Sequence, residues 1–573
     1  MHIHIVPNRN SKPAILLRES YRQGGKVKKR TVANLSFLSL EQAEMINLVL
    51  KGKKVAEIDK LFEKVESKHH GHVQAVLKVI DILGLDKIIS SKRCRPRDII
   101  VAVIVARLCQ PDSKLAMTRW WKDTTLPQLL DLDGVDEDDI YEAMDWLLRR
   151  QRRIEKKLAK RHLHDGDLVL YDLTSSYFEG VTCPLARLGK SRDRKRNTLQ
   201  VNYGLVASRD GCPVSVSVFE GNTADCTTLL EQAERARSDF GIGEMVLVGD
   251  RGMISQKQID ELKDVDGLAW ITALKAGAIR KLMKVGAMQL DLFDERNLFE
   301  FTHKDFPGER LVACRNELLG RKRKHKRESM LEATTKELEK IRRMLERGTL
   351  KEKERTKERI GVRVGKVINK YKMAKHIVLE IDDNSLSFSV DEQSVAAEAA
   401  LDGIYVIRTS VTEEKMDGDE AVRAYKNLTN VERAFRSLKS IDLLVRPIRH
   451  RKEDRVRAHI FCSMLAYYVQ RYMIEALRPL LFADEDQESK KTRDPVAVAK
   501  RSESALKKVR TKRLDDGTVV HSFKTLLHHM STITRDLCRQ CVDDGKSTNT
   551  FTVDTTPNKK QQQVLDHLAR ITV

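Results

Sequence analysis

Leu168-Val169-Leu170-Tyr171-Asp172 and Met245-Val246-Leu247-Val248-Gly249-Asp250 decide the fold. Each is a short apolar run that delivers a carboxylate at or near its end. Runs of this length, rich in Val and Leu, read as buried strands. Two strands that each end on an acid are the start of an acidic site.

The residues between them supply the rest of a sheet. Thr198 to Val206 and Pro213 to Glu220 alternate as strands around Ser208-Arg209-Asp210-Gly211, whose Asp-Gly pair favours a hairpin. Asn222 and Thr223 are placed to cap a helix over 224–240, and Ser255 with Gln258 caps a second. Leu268 to Leu274 then reads as a fifth strand. Three antiparallel strands, helix, strand, helix, strand is the order of a ribonuclease-H-like core, so the fold class is α/β (α+β) with a mixed sheet.

A third acid stands far downstream. Glu432 lies in a helical pattern from Glu420 to Lys439, with Tyr425, Glu432 and Lys439 seven apart. That spacing drifts by only about 20° per heptad, so the three share one face. Leu428, Val431, Phe435 and Leu438 form an apolar stripe on the same helix. On an isolated helix the stripe would mark a core face and Glu432 a solvated residue; beside two strand-borne aspartates, Glu432 is the expected third member of the site.

Charge indicates the partner. The 573 residues carry 105 Lys and Arg against 83 Asp and Glu, a net charge of +22, as expected of a chain that meets a polyanion. There is no run of about eighteen apolar residues and no leader-like start, so neither a membrane span nor secretion is expected; the location expected is cytoplasmic and nucleoid-associated. Nine scattered cysteines fit a reducing compartment. Cys538 and Cys541 follow His528 and His529, but a second Cys-x-x-Cys is missing and all four lie in one helix-like stretch, so structural zinc is not expected. Gly189-Lys190-Ser191 and Gly545-Lys546-Ser547 lack the upstream glycine of a phosphate loop, so no nucleotide cofactor is expected.

Six segments follow from the patterns. Residues 1–60 read as a β module, whose turn carries Lys26, Lys28, Lys29 and Arg30 either as phosphate contacts or as ordinary turn residues. Residues 66–164 read as a helical DNA-binding domain, with Trp120 and Trp121 more often core than stacking platform. The first part of the core spans 165–275 and the second, with the third acid, 401–480. Between them 276–400 is an insertion, with a charged helical hairpin near 321–372, where Leu331, Leu338 and Leu345 keep heptad spacing and Thr334 weakens the seam. Its run Arg321 to Arg327 reads equally as a solvated helix start or a phosphate contact. An amphipathic helix over 453–477 closes the core, His450 and His459 are structural or DNA-facing, and 481–573 is a helical tail opening with a charged linker, 484–493.

Tyr171-Asp172-Leu173-Thr174-Ser175-Ser176, Glu220-Gly221-Asn222-Thr223-Ala224-Asp225, Val248-Gly249-Asp250-Arg251-Gly252-Met253, and Tyr425 through Lys439 followed by Arg446-Pro447-Ile448-Arg449-His450 resemble the insertion-sequence DDE transposases with a Tyr-Arg-Glu-Lys signature. The resemblance runs from the β module to about residue 475. It implies that Asp172, Asp250 and Glu432 are catalytic metal ligands, and that Tyr425 and Lys439 handle DNA near the cleaved end. Leu428 departs from it, standing where the family has arginine; either Arg433 or Arg436 nearby replaces that guanidinium as a DNA contact, or handling of the cleaved end differs.

Three carboxylates suit Mg²⁺, for which Mn²⁺ can substitute, because oxygen donors hold two ions about 3.5–4 Å apart that activate a nucleophile and neutralise the leaving oxyanion. The expected activity is binding of the inverted ends of a mobile element, cleavage, and joining of 3′ hydroxyls to target DNA, by a homodimer on double-stranded DNA. A DNA-binding relic and a structure-specific nuclease of the same fold are the alternatives.

Overall fold

The computed structural model describes residues 1–572 apart from 10, 54–61, 194, 196, 289–296, 483–493, 497–500 and 541–548. The linker 484–493, Cys541 and Gly545-Lys546-Ser547 therefore lie outside the described residues. The chain divides into two compact units, Met1–His70 with Ile533–Thr556, and Gly71–Thr532 with Pro557–Val573.

The first unit opens with a meander of β1 (His2–Val6), β2 (Ala14–Gln23) and β3 (Lys26–Asn34), all antiparallel. Gly24 and Gly25, both at positive φ, make the tight β2–β3 turn. A helix, Leu40–Leu50, follows, with a Ser39/Gln42 capping box. Strand β4 (Phe62–His69) belongs to this unit as well. Lys26, Lys28, Lys29 and Arg30 are exposed.

The second unit is built on one eight-stranded mixed sheet. Strands β5 (Leu168–Tyr177), β6 (Gln200–Ser208) and β7 (Pro213–Glu220) are antiparallel, and β8 (Met245–Val248) and β9 (Leu268–Ala273) continue parallel to β5. The sheet then grows outward through β10 (Leu298–Phe301), β11 (Arg310–Arg315) and, later in the chain, β14 (Ile404–Thr409), in the order β10-β11-β14-β9-β8-β5-β6-β7. This is a ribonuclease-H-like order extended at one edge. β10 and β11, which fall in the stretch expected as an insertion, are thus part of the core sheet; the pairing of β11 with β14, some ninety residues on, leaves no local trace.

The helix after β7 begins later than its sequence suggests. Asn222 and Thr223 do not cap it: a short 3₁₀ turn, Asp225–Thr227, intervenes and the helix is Leu229–Phe240. Asn202 instead ties this turn down, donating from Nδ2 to the Thr223 carbonyl at 3.0 Å. Ser255 stands at the N-cap of Gln256–Lys263, where it bonds the Gln258 side chain and makes no side-chain bond to the helix backbone.

The rest of the interruption is a body of its own. Helices Glu317–Glu346 and Lys357–Tyr371 pack against each other and against the hairpin β12 (Ile377–Asp382) and β13 (Ser385–Val390). Leu338, Ile341, Leu345, Ile360 and Val364 fill this interior. Thr334 is fully buried there, its hydroxyl bonding back to the Met330 carbonyl at 2.7 Å, which removes the cost of an unpaired polar group in the seam. Of the basic run, Arg327 pairs with Asp402 and Arg323 donates to Leu401 and Ile404 carbonyls, while Arg321, Lys322, Lys324, His325 and Lys326 are exposed.

Helices between Gly71 and His162 form the second layer, centred on Arg95–Cys109, which is buried from Asp98 through Leu108. Trp121 is a core residue, 2% exposed, and Trp120 packs edge-on to His72. The helix Glu453–Leu477 is not amphipathic. It is buried along most of its length because Arg95–Cys109 and Glu137–Leu148 cover one side and β7 another. β7, the open edge, is covered by side chains: Gln151 donates to the Val216 carbonyl, Glu155 accepts from the Val216 amide, and Arg457 donates to the Val218 carbonyl.

The final segment is not simply helical. After the helices Glu503–Thr511 and Phe523–Met530, β15 (Thr534–Gln540) pairs with β4 and with β16 (Thr550–Asp554) in the first unit. Cys538 is buried on β15, away from any single helix shared with His528 and His529; alternation over seven residues, with Asp536 and Cys538 inward, was a strand signal. The eight described cysteines are free. Among the described residues no helix is long and apolar enough to cross a membrane.

Candidate active site

β5 and β8 run parallel with Leu170 opposite Val248. Carrying that register two residues on sets Asp172 beside Asp250. Neighbouring strands lie about 4.8 Å apart, so the two carboxylates emerge side by side. Asp172 is not at the end of its strand, since β5 continues to Tyr177; it lies just past the stretch that β8 pairs. Asp250 follows β8 in a turn and is exposed.

The third acid comes from a broken helix. The segment expected as continuous from 420 to 439 is two helices, Gly418–Lys426 and Leu428–Arg436, followed by a π turn, Ser437–Ile441. Leu428, Val431, Phe435 and Leu438 are buried, and Phe435 meets Tyr203 of β6 edge-on at 5.8 Å. The stripe is therefore core, and seating it on the sheet leaves Glu432 exposed beside it.

Asp172 lies within reach of the charges of both other acids. The Asp172 carboxyl is pushed up to about 7, first by burial and then by the charges of Asp250 and Glu432, against the pull of the Leu173 amide and of Arg192. Tyr425 donates its hydroxyl to Asp250 Oδ1 at 3.3 Å, and burial with the same two acids raises its pKa. Asp250 Oδ1 also accepts from the Arg251 amide at 2.8 Å.

Lys439 is not in that group. The π turn rotates it off the face of Tyr425 and Glu432, and its ammonium bonds Asp193 at 3.0 Å, 8% exposed overall. Arg433 and Arg436 are exposed; Arg433 lies near enough to Tyr467 for its charge to act on that hydroxyl. Leu428 is buried at the start of its helix. His450 and His459 sit together at 4.8 Å between rings, and His459 bonds Arg107 in the interior. Burial and cationic neighbours hold His450 down at about 3.

Three groups at the site carried no recognisable signal. Arg192 pairs with Asp225 at 2.5 Å, and its charge reaches Asp172. Asp193 takes both Lys439 and Arg446. Arg192 and Asp193 lie outside the motifs, in a polar run without periodicity; Asp225, Lys439 and Arg446 stand in the quoted motifs, which give no sign of these pairings.

An all-oxygen donor set suits a hard divalent cation. Among the described residues, no group of three or more His, Cys, Asp or Glu side chains is placed to hold a metal ion as it stands. Asp250 and Glu432 are both exposed.

Two family models match the chain: a transposase DDE domain over residues 184–469, and the N-terminal domain of IS1634 family transposases over residues 3–61. The chain belongs to the insertion-sequence DDE transposases. The DDE match contains Asp250 and Glu432, and Asp172 precedes it. This transposase is thus a DNA-acting enzyme of a domain type that is generally dependent on divalent metal. No curated protein matches it. A solved structure described as a cryo-EM structure of a piggyBac transposase synaptic complex with hairpin DNA aligns over 80% of this chain and 77% of its own, at 9% identity and a TM-score of 0.33.

Proposed function

We propose that this transposase binds the inverted ends of its own element, cleaves them with Mg²⁺ held by Asp172, Asp250 and Glu432, and joins the 3′ hydroxyls to target DNA. The observation that supports the reading is that Asp172, raised first by burial, also feels the charges of both Asp250 and Glu432. Bound divalent metal would supply nucleophile activation and charge neutralisation at the leaving oxygen. Asp172, on β5, and Asp250, two residues past the end of β8, would orient the scissile phosphate; Glu432, on a helix seated by its apolar stripe, would close the third side. Tyr425, hydrogen-bonded to Asp250, would hold that carboxylate's orientation. Lys439, Arg433 and Arg436 would take DNA phosphates, and two ends would be handled by two copies of the chain.

The test is a Mg²⁺-dependent assay of the full chain on labelled DNA carrying the element's ends, beside Asp250→Ala. Cleavage and strand transfer by the wild type alone supports the reading. Cleavage without joining points to a nuclease, and metal-independent binding without cutting by both proteins points to a DNA-binding relic.

A further inference from the structure

Lys439 and Arg446 converge on one carboxylate oxygen. Asp193 Oδ1 accepts from Lys439 Nζ at 3.0 Å and from the Arg446 guanidinium, while Oδ2 accepts from the Tyr177 amide at 2.9 Å. The Asp193 side chain is 2% exposed, that of Lys439 10% and that of Arg446 24%. The acid thus lies behind and the cations in front, with Arg446 outermost. Arg192, the preceding residue, extends the cationic face toward Asp172.

The segment that carries Arg446 is held from its other side. Arg107 donates to the Leu443 carbonyl at 3.2 Å, His459 Nε2 to the Val445 carbonyl at 3.1 Å, and the Ile448 amide to the Tyr177 carbonyl at 3.1 Å. A backbone fixed on both flanks leaves Arg446 little freedom. Its fork is committed to this one place.

Two nitrogens that share one oxygen at hydrogen-bond length stand no more than roughly 6 Å apart. One phosphate group can accept from both at once, and Arg with Lys gives it charge-assisted bonds. Two cations on one anion leave a net positive seat. Without the buried carboxylate the cations would repel each other and separate.

We infer that Asp193 is a positioning residue that gathers Arg446 and Lys439 into a single seat for one DNA backbone phosphate beside the acidic site. The inference rests on the function proposed above, and makes Arg446 a DNA contact that the sequence did not single out.

The test is binding without chemistry. Affinity of the full chain for a duplex ending at the element's cleaved 3′ end is measured in EDTA across a salt series, for wild type, Arg446→Gln, Lys439→Gln, the double variant and Asp193→Asn. Each phosphate contact contributes about 0.9 to the slope of log K against log salt. One shared phosphate means that the double variant loses about 0.9 in all, with roughly tenfold weaker binding, whereas two separate phosphates would cost about 1.8. Asp193→Asn, which keeps its volume and the bond from Tyr177, is expected to lose the same 0.9 although it never touches DNA. A wild-type slope in the double variant, a loss of about 0.9 in each single variant and about 1.8 in the double, or a wild-type slope in Asp193→Asn at unchanged melting temperature, overturns the inference. Because the assay holds no metal, its failure leaves the cleavage reading standing, and failure of cleavage leaves this measurement interpretable.

Discussion

Replacing Lys114 by Met should stabilise the protein, and by an amount that depends on pH. Lys114 is 4% exposed, beside Arg107 and His450, and among the described residues its ammonium has no ion pair. Burial first, and then the Arg107 charge, brings its pKa down from 10.5 to about 7. Between those values the unfolded chain binds a proton that the folded chain does not, so stability rises with pH across pH 7 to 10.5. At about 1.4 kcal/mol per unit, the lysine costs the fold about 4 kcal/mol at pH 7 and under about 1 kcal/mol at pH 10. Met keeps the length and apolar character of the stem and removes the charge. The assay is thermal melting of both proteins at the two pH values. Lys114→Met should melt roughly 5–10 °C higher at pH 7, with the gap nearly closed at pH 10. A gap that is absent at pH 7, or equal at both, would refute the claim that this ammonium is desolvated and unpaired.

Three further outcomes follow from particular contacts. Tyr425→Phe removes the hydroxyl on Asp250 and should slow cleavage about tenfold at unchanged melting temperature, measured as the single-turnover rate. Gly204→Ala puts a Cβ within 2.4 Å of the Tyr171 hydroxyl, which is pinned by its bond to Thr228, so denaturant melts should show a loss of about 1–3 kcal/mol. Glu155→Ala strips a fully buried carboxylate from Arg235, Gln151 and the Val216 amide; Arg235 keeps its pair with Asp239, and the donors left unpaired should cost about 1–3 kcal/mol by the same measurement.

The core strands were legible because burial on both faces writes continuous apolar runs, as at Leu168–Tyr171 and Met245–Val248. The acids at their ends stood out for the same reason. Their shared register was not legible, since it depends on pairing that no single run encodes. Lys439 was misplaced because heptad spacing assumes an unbroken helix, and the break at Asn427 and the π turn at Ser437–Ile441 reset the phase. Asp193 sits in a polar run with no period, so only the fold shows the cations it collects. β11 and β15 were missed because they pair with strands distant in sequence, and β10 and β16 are short edge strands that pair only with those two.

The central claim is that Asp172, Asp250 and Glu432 hold metal together. Binding of Mn²⁺ to the full chain, followed by the loss of its free electron paramagnetic resonance signal in the presence of cleaved-end DNA, measures this directly. Wild type should bind tightly, and Asp172→Asn, Asp250→Asn and Glu432→Gln should each weaken binding at least tenfold while still binding DNA. Equal Mn²⁺ binding by wild type and all three variants would contradict the account.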